Sequence, residues 1–413
     1  MTAERVDIAV VGGGPAGAAT AALLAGHGHG VVLLERAPRW RWRPCGVFAA
    51  PAAVAALRRV GMPEEELARA ANPVRAIRVE TPRGASFRLT YDGTGSLADS
   101  AVGFDREVLD GALLERARRA GTDVRLGTRV ERVELGGDTP RLVVADPAGR
   151  RSEIHASVVV GADGLRSIVG RAAGVSTRAP FARRTAMTFH VARAGNEAGG
   201  AAADGANASP DARMVVLRDG YVGLAPVPGG RTNVGIVLGP SWTKRIQADG
   251  PMLVAMEILA STRPPGAPPE RPAITDRLVG IRPVSAAVSR RAGDGWLLVG
   301  DAAGFLDPFT GEGLHRAIVS AELAAETIHG VLAGRSGARL VDHDAAMRAR
   351  FGTKDVVSRL VQGFLGRPPL FEYAARRLET RDGIRATMGR VLGDLVPPTQ
   401  ALDPRFLATL LAP

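Results

Sequence analysis

The sequence contains very few cysteine, lysine and aromatic residues. Cys45 is the only cysteine among 413 residues, so an intrachain disulfide is excluded and a reducing compartment is indicated. Lys244 and Lys354 are the only lysines, and nearly all basic residues are therefore arginine. Phe, Trp and Tyr together make up 4% of the chain.

The net charge of +11 suits a nucleic acid, an anionic lipid or an anionic cofactor. The arginines are spread along the chain without a long basic run, and few aromatic residues lie among them. The sequence therefore does not indicate a nucleic-acid partner, and we attribute most of the charge to solvated surfaces.

Long hydrophobic runs are also missing, apart from residues 9–26, which are almost continuously apolar or small. Glycines and Pro15 occur there where a phosphate-binding turn needs them, and no other stretch approaches about 20 apolar residues. We expect neither a signal peptide nor a membrane span. The expected location is cytoplasmic, peripheral to a membrane at most, and the length suits two or three domains.

Residues 6–35 predict a βαβ unit with a phosphate-binding turn. An apolar run at residues 8–11 leads into Gly12, Gly14 and Gly17, spaced G-x-G-x-x-G before a helical stretch, and a second apolar run ends at Glu35. These glycines permit the tight turn, the close approach of a pyrophosphate and the packing of the helix on the strand. The helix N-terminus attracts the anion, and Glu35 can accept hydrogen bonds from a ribose diol. The pattern predicts a dinucleotide site.

Two more segments predict a buried strand that ends in a turn with an aspartate and is followed by a helix. Residues 157–169 read SVVVGADGLRSIV, and Asp163 with Gly164 turns the chain into a helix, where Asp163 serves a ligand or is a simple helix cap. In WLLVGDAAGFLDPFTGEGLHRAI, residues 296–318, Asp301 follows a buried strand at the end where parallel sheets bind ligands. The helix that follows residues 308–313 presents a positive end that suits a ring such as flavin, which becomes anionic on reduction.

The three motifs in this order resemble those of the superfamily of FAD-dependent aromatic hydroxylases and geranylgeranyl reductases. The matching segments are GGGPAG with Glu35, GADGLRSIVGR from Gly161 and GDAAGFLDPFTGEG from Gly300, and the resemblance spans about residues 5–335. It implies FAD as the bound cofactor and NADPH or NADH as a transient reductant.

The resemblance also implies roles for single residues. Arg106 is expected near the FAD phosphates, Val130 at the adenine, and Asp163 beside both FAD and the passing nicotinamide. Two alternatives stay open: Arg106 is a charge on the surface of a helix, and Val130 is an ordinary core residue of a strand. The complete set assigned to FAD is Gly12, Gly14, Pro15, Ala16, Gly17, Glu35, Arg36, Cys45, Gly46, Arg106, Val130, Asp163, Gly164, Gly300, Asp301, Pro308, Gly311, Glu312, Gly313 and Leu314.

The predicted fold class is α/β with a discontinuous Rossmann-like FAD-binding domain at residues 1–75, 100–178 and 278–335. An inserted mixed β-sheet substrate-binding domain takes residues 76–99 and 179–277, and a helical C-terminal region takes residues 336–413. From residue 317 onward the pattern is helical, with breaks at Pro368-Pro369 and Pro397-Pro398.

The substrate strand separates two branches of the superfamily. Residues 43–46 and 308–313 are most similar to geranylgeranyl reductases, and Gly304 replaces the usual histidine of aromatic hydroxylases. The reductases have a strand Y-x-W-x-F-P; Tyr221 matches, but Gly223 and Ala225 replace the two large aromatics, which widens the substrate cavity. Double-bond reduction of an apolar small molecule is slightly favoured, and a monooxygenase acting on an aromatic or polyketide-like substrate is the alternative.

A flavin-dependent halogenase and a non-catalytic FAD-binding protein are remote alternatives. Residues 40–44 superficially resemble the halogenase signature W-x-W-x-x-P, but they lie in the wrong place. Halogenases also need a lysine before the second motif to capture hypohalous acid, and no lysine precedes Lys244.

Candidate reactive side chains are few. Cys45 lies over the flavin, as in the similar reductases, or is a small buried hydrophobe. His190 is an acid or base facing the cavity, or an ordinary core histidine. No histidine has metal-site spacing, so no metal is predicted.

Residues 356–378 have apolar positions at helical spacing with arginines among them. They form either a lid on the substrate domain or a surface that makes weak contact with a membrane. The oligomeric state is not indicated.

Overall fold

The computed structural model describes residues 3–39, 47–91, 97, 100–137, 139–181, 183–192, 211–262 and 273–412. In chain order its strands are β1 (Ala3–Val11), β2 (Val31–Glu35), β3 (Phe48–Ala49), β4 (Ala71–Val74), β5 (Ala76–Glu80), β6 (Ser86–Thr90), β7 (Ala101–Phe104), β8 (Asp123–Leu126), β9 (Arg129–Glu134), β10 (Arg141–Ala145), β11 (Arg151–Gly161), β12 (Ser176–Thr177), β13 (Thr185–Ala192), β14 (Ala212–Leu217), β15 (Gly220–Val227), β16 (Arg231–Leu238), β17 (Val279–Ile281), β18 (Ala287–Val288), β19 (Ala292–Gly293) and β20 (Trp296–Leu298).

The α-helices are α1 (Pro15–Gly26), α2 (Pro51–Arg59), α3 (Glu64–Ala70), α4 (Arg106–Arg119), α5 (Ile168–Ala172), α6 (Thr243–Asp249), α7 (Pro251–Ser261), α8 (Gly313–Leu332), α9 (Asp342–Leu365), α10 (Pro368–Thr380), α11 (Asp382–Leu392) and α12 (Pro404–Leu411). Short 3₁₀ turns lie at Gly164–Arg166, Pro240–Trp242, Gly300–Ala303, Pro308–Thr310 and Pro398–Leu402. No helix of the described residues is long and apolar enough to cross a membrane.

The first sheet is a parallel layer with the strand order β20-β11-β1-β2-β8. Its central residues 8–11 and 31–34 are almost fully buried, and they share one core cluster with residues of α1, α4 and α8. The short strand β19 and the hairpin β9–β10 add antiparallel pairs. The carboxyl ends of β1, β11 and β20 lie side by side, and they bring the three predicted motifs to one edge.

The second sheet has the order β17-β13-β16-β15-β14-β5-β6 and is antiparallel except for the pair β14–β5. Alternation gives it two different faces. Met187, Phe189, Val222 and Ile236 pack against α7 on one face, and the other face turns toward the first sheet. Strand β17 belongs to this sheet although it lies beyond residue 277.

The C-terminal helices cover the far end of the second sheet. Phe371 and Leu378 of α10 and Ile384 of α11 are buried in one cluster with the side chains of β5, β6 and β14. This is the lid packing predicted for the tail. The predicted breaks coincide with the start of α10 and of the last 3₁₀ turn.

The sequence did not predict the break between α8 and α9. Gly334 and Gly337 adopt positive φ angles of 68° and 77° there, a conformation that ends a helix at little cost for glycine. This break lies where the predicted helical C-terminal region begins, at residue 336, but the helical pattern itself did not mark it.

Candidate functional site

A cavity of about 1160 Å³ lies between the carboxyl edge of the first sheet and the open face of the second. Gly14, Asp163 and Asp301 line one side, and Thr188 and Gly223 line the other. Its volume exceeds the roughly 300–1,000 Å³ of most small-molecule sites. The space suits a dinucleotide together with a second molecule.

The three glycines of the first turn have different surroundings. Gly12 has φ +107°, and a Cβ there would lie 2.4 Å from the Ala162 carbonyl oxygen. A Cβ on Gly17 would lie 2.0 Å from the Gly12 carbonyl oxygen, so helix and turn require glycine at both positions. A Cβ on Gly14 would meet no described atom within 4 Å and would enter the cavity. The fold therefore does not require glycine at position 14, and the missing side chain leaves space for a ligand.

Helix α1 begins at Pro15, and no side chain caps its first turn. Its free N–H groups and the positive end of its dipole face the cavity next to Gly14, Pro15 and Ala16. An anion held there would supply the missing acceptors.

Glu35 is buried and holds the turn together. Its Oε2 accepts a hydrogen bond of 2.9 Å from the Gly13 amide, and its Oε1 accepts one of 2.8 Å from the Ala37 amide. Both oxygens are thus oriented by backbone, and Arg36 beside them lines the cavity.

Arg106 lies at the start of α4, which Asp105 caps through the Glu107 and Val108 amides. Two parallel hydrogen bonds of 2.9 Å join Arg106 to Asp110, and both side chains line the cavity. This pairing fixes the guanidinium in a buried position, so Arg106 is not a surface charge. Val130 is not among the cavity residues; it forms strand pairs with Val144.

One of the two Asp163 carboxyl oxygens is buried without a donor among the described residues. Its Oδ2 accepts a hydrogen bond of 2.5 Å from the Ile168 amide, whereas the buried Oδ1 has no partner among the described residues. Burial raises the pKa of this carboxyl. Buried acceptors normally have a donor, so the orphan oxygen at the cavity wall indicates a ligand. Gly164 follows with φ +77°.

Asp301 faces the cavity from the 3₁₀ turn that follows β20. Burial raises the pKa of its carboxyl to about 6, although the positive charges of Arg106 and Arg316 act in the opposite direction. Gly300 before it has φ +56° and its amide donates to Ser320 Oγ at 2.8 Å. The carboxyl group faces the cavity and is buried at a cost in desolvation, so it is available to accept a hydrogen bond from a ligand hydroxyl.

The turn before α8 lines the cavity with Pro308, Gly311, Gly313 and Leu314. Gly311 is left-handed with φ +69°, and a Cβ there would lie 2.7 Å from the ring of Phe48.

Glu312 is the exception in this turn. Its side chain accepts a hydrogen bond from Ser358 Oγ at 3.1 Å and lies 3.7 Å from the buried ammonium of Lys354. Both partners belong to α9, and Glu312 is not among the cavity residues. Its carboxylate joins the turn to the helical region and does not line the cavity.

The second sheet forms the opposite wall with Tyr221, Gly223 and Ala225, the three predicted substrate residues. The Tyr221 hydroxyl donates to Asp307 Oδ1 at 2.6 Å, and Arg184 holds the other Asp307 oxygen at the same distance. Burial, helped by the Asp307 charge, raises the pKa of Tyr221 well above its ordinary value. The phenol therefore stays protonated and connects the sheet to the turn before α8.

Sequence reasoning missed Thr188, Asn233 and Gly235 on the same wall. Asn233 and Gly235 alternate along β16 as Gly223 and Ala225 do along β15, so the period-2 pattern could have found them once the strand pairing was known.

His190 is on the cavity face of β13 but does not line the cavity. Its Nδ1 lies 2.5 Å from Asp276 Oδ2, and its Nε2 lies 3.3 Å from Asn233 Nδ2. Its contact with the cavity therefore runs through Asn233. Cys45 and Gly46 lie outside the described residues.

The donor set fits FAD. The open space at Gly14, the uncapped start of α1 and the arginines Arg36 and Arg106 suit a pyrophosphate, and the orphan Asp163 oxygen and Asp301 suit hydroxyl or N–H groups. Among the described residues, no group of three or more His, Cys, Asp or Glu could hold a metal ion.

Comparisons with known proteins agree with this geometry. Residues 5–359 match the family model described as an FAD binding domain. A menaquinone reductase of Mycolicibacterium smegmatis is 30% identical over 325 residues, which are 78% of this chain and 76% of that protein. A digeranylgeranylglycerophospholipid reductase 2 of Methanopyrus kandleri is 31% identical over 329 residues, 78% of this chain and 76% of the relative.

A solved flavoprotein/dehydrogenase from Cytophaga hutchinsonii has a TM-score of 0.76 at 20% identity and covers 94% of this chain and 93% of its own. At this identity the likeness shows the fold. The predicted class is confirmed: a parallel FAD-binding sheet, a separate and mostly antiparallel sheet domain, and C-terminal helices.

The fold and the site define an FAD-dependent oxidoreductase. The chain belongs to the FAD binding domain family, which confirms the resemblance drawn from the three motifs.

Proposed function

We propose that this enzyme accepts electrons from NADH or NADPH and reduces a carbon–carbon double bond of an apolar, isoprenoid-like molecule. The observation that supports reduction most strongly is the likeness to the two reductases described above. The cavity wall formed by Gly223, Gly235 and Ala225 supports an apolar substrate. Both relatives described above are reductases, and the name of one contains the isoprenoid geranylgeranyl group.

Bound FAD supplies hydride transfer, and the chain supplies binding, orientation and dryness. The first-sheet edge holds the dinucleotide through the start of α1, Arg106 and Asp301. The Tyr221–Asp307–Arg184 chain fixes the turn before α8 against the sheet wall, so this turn would keep its position beside the bound cofactor. The buried wall excludes water, which strengthens the hydrogen bonds and charge interactions that would orient the bound molecules.

A monooxygenase is the second candidate, because Gly223 and Gly235 have no side chains to narrow the cavity and so leave room for a ringed substrate. The two functions differ in oxygen use. Under anaerobic conditions the reductase converts its substrate to a product two mass units heavier, whereas the monooxygenase only bleaches the flavin and adds 16 mass units after air is admitted. Mass spectrometry with NADPH or NADH, with and without oxygen, tests the proposal.

We also place a weak membrane contact on the outer side of the helical region, where an isoprenoid lipid would be collected. Val356 and Leu360 of α9 are each 43% exposed and Leu370 of α10 is 36% exposed, so three apolar side chains face solvent together with Arg359 and Arg367. Apolar area next to arginine is the composition that binds an anionic lipid surface. The buried side of the same helices forms the lid.

A further inference from the structure

The cavity face of β13 and β16 has two polar side chains in an otherwise small and apolar wall. Thr188 and Asn233 both line the cavity and are almost fully buried, with 5% and 4% exposure. Next to them the wall consists of Gly223, Gly235 and Ala225. Buried polar groups in such a place cost free energy unless they are paired, so their orientation is informative.

The amide of Asn233 is held in one orientation. Its Nδ2 donates to Thr188 Oγ1 at 3.0 Å and lies 3.5 Å from the Phe189 carbonyl oxygen. A carbonyl oxygen can only accept, so the NH₂ group and not Oδ1 must face Phe189.

His190 supports the same orientation from a third side. Its Nδ1 faces the carboxylate of Asp276 at 2.5 Å, and the backbone amide of His190 donates to the other Asp276 oxygen at 2.7 Å. A proton on Nδ1 leaves Nε2 as an acceptor, 3.3 Å from Asn233 Nδ2. The NH₂ group has two hydrogens, so one serves Thr188 at the shortest distance and His190 Nε2 shares the other with the Phe189 oxygen. Asp276 and His190 are therefore positioning residues that act through Asn233.

The result is a complementary pair of groups that a ligand can reach. Asn233 Oδ1 has no donor among the described residues, and the Thr188 hydroxyl accepts from Asn233 but has no acceptor there for its own hydrogen. One group accepts and the other donates, and the two side chains are hydrogen-bonded to each other. A hydroxyl can use both, because it donates and accepts, whereas an ether or ketone oxygen would face the Asn233 oxygen without a hydrogen between them.

We propose that Asn233 and Thr188 form a hydroxyl-binding subsite, so that the substrate is an apolar molecule with an alcohol, phenol or hydroquinone O–H. This inference rests on the proposed function, because it assumes that the second molecule in the cavity is the substrate. It assigns Asn233 as a specificity-determining residue, and it assigns a hydroxyl group to the substrate.

Two aromatic probes test the subsite in the FAD-loaded full chain. 1-Naphthol has an O–H on a flat ring, and 1-methoxynaphthalene is the same ring with that hydrogen replaced by methyl. Their dissociation constants are measured by the change in flavin absorbance. We expect wild-type protein to bind 1-naphthol about 3- to 10-fold more tightly, the factor that one net hydrogen bond gives.

Asn233→Leu and the smaller Asn233→Ser should each lower this ratio to about 1 while flavin content stays unchanged. His190→Ala should lower it as well, and we measure its thermal melting to show that the loss of selectivity is not a loss of folding. Asn72→Leu is the matched control, since it removes an amide on β4 outside the cavity and should leave the ratio unchanged.

Equal affinities of the two probes for wild type, or no detectable binding of 1-naphthol, would overturn the subsite without any variant. An undiminished preference in either Asn233 variant would overturn the role of Asn233. Failure of the proposed function is distinguishable, because it shows as no bleaching by NADH or NADPH and no reduced product, whatever the probe ratio is.

Discussion

Gly223 and Gly235 are direct partners across β15 and β16, so two residues without side chains face each other in the cavity wall. Neither has a positive φ, and a Cβ on Gly223 would make only ordinary contacts, 3.6 Å from Met214 Cε and 3.9 Å from the Gly235 oxygen. A Cβ on Gly235 would also stay 3.9 Å from its nearest neighbours. The strand does not require glycine at either position, so the space itself is what these residues provide.

The first prediction concerns this space. Gly223→Trp should lower turnover of a ringed substrate far more than it lowers FAD content, because the cofactor is held by the opposite edge of the cavity. Gly223→Ala is the control, and it should leave the protein equally stable or more stable by about 0.5–1 kcal/mol, since glycine weakens a strand. A melting point that drops by many degrees with loss of flavin in Gly223→Trp would instead show that the sheet needs glycine.

The second prediction separates two glycines of the first turn. Gly14→Glu should abolish FAD retention with the fold intact, because its side chain would enter only the cavity and bring a negative charge to the phosphates. Gly17→Val should destabilise the protein itself by about 1–3 kcal/mol or more, since its Cβ would lie 2.0 Å from the Gly12 oxygen. Flavin absorbance and thermal melting measure both effects. Full flavin content in Gly14→Glu would show that the phosphates bind elsewhere.

The third prediction follows from the pKa of about 6 at Asp301. This carboxyl has a pKa near 3.8 when exposed, so the folded apoprotein binds the proton more tightly and should become more stable as the pH falls from about 7 toward 4. FAD affinity should change in the opposite direction, because the ionised form is the better acceptor for a hydroxyl. Asp301→Asn should remove most of both pH dependences.

Asp301→Ala should weaken FAD binding by about 1.5–3 kcal/mol without unfolding the protein. Titration of apoprotein with FAD at pH 5.5 and 7.5 gives the FAD dissociation constant of the wild type and of each variant, and its change with pH. Thermal melting of the apoproteins at the same pH values gives the change in stability. An unchanged dissociation constant in Asp301→Ala would remove Asp301 from the cofactor site.

The fourth prediction concerns the outer side of α9 and α10. Sedimentation with anionic vesicles should be weak at low salt and should disappear at high salt, because arginine attraction is screened. The pair Arg359→Glu and Leu360→Gln should abolish it. Arg335→Glu is the control, because this arginine is exposed in the connection between α8 and α9, away from the apolar side chains. No sedimentation at low salt would contradict the membrane contact, and the helices would then serve only as a lid on the substrate domain.

The elements at the carboxyl edge of the first sheet could be predicted from the sequence, since each strand lies next to its turn and helix in the chain. The local spacing of Gly12, Gly14 and Gly17 predicts the first turn. Asp163 and Asp301 each follow an apolar run that predicts a buried strand. Parallel strands then bring these local signals to one edge without further information.

The second wall could be predicted only in part, because it depends on pairing between distant strands. The register of β13, β15 and β16 places Asn233 beside both His190 and Ala225, and no local pattern shows this. His190 was recognised as a candidate, but its partners Asp276 and Asn233 lie 86 and 43 residues away. Glu312 also has partners on α9, which sequence spacing does not reveal.

The central claim is that this oxidoreductase moves electrons from a nicotinamide through FAD to a double bond. Its most direct test is one anaerobic incubation of the flavin-loaded protein with NADPH or NADH and geranylgeraniol, an isoprenoid alcohol, followed by mass spectrometry. The account predicts a product two mass units heavier for each double bond reduced, formed without oxygen. Unchanged geranylgeraniol under anaerobic conditions, with a product 16 mass units heavier only after air is admitted, would contradict it.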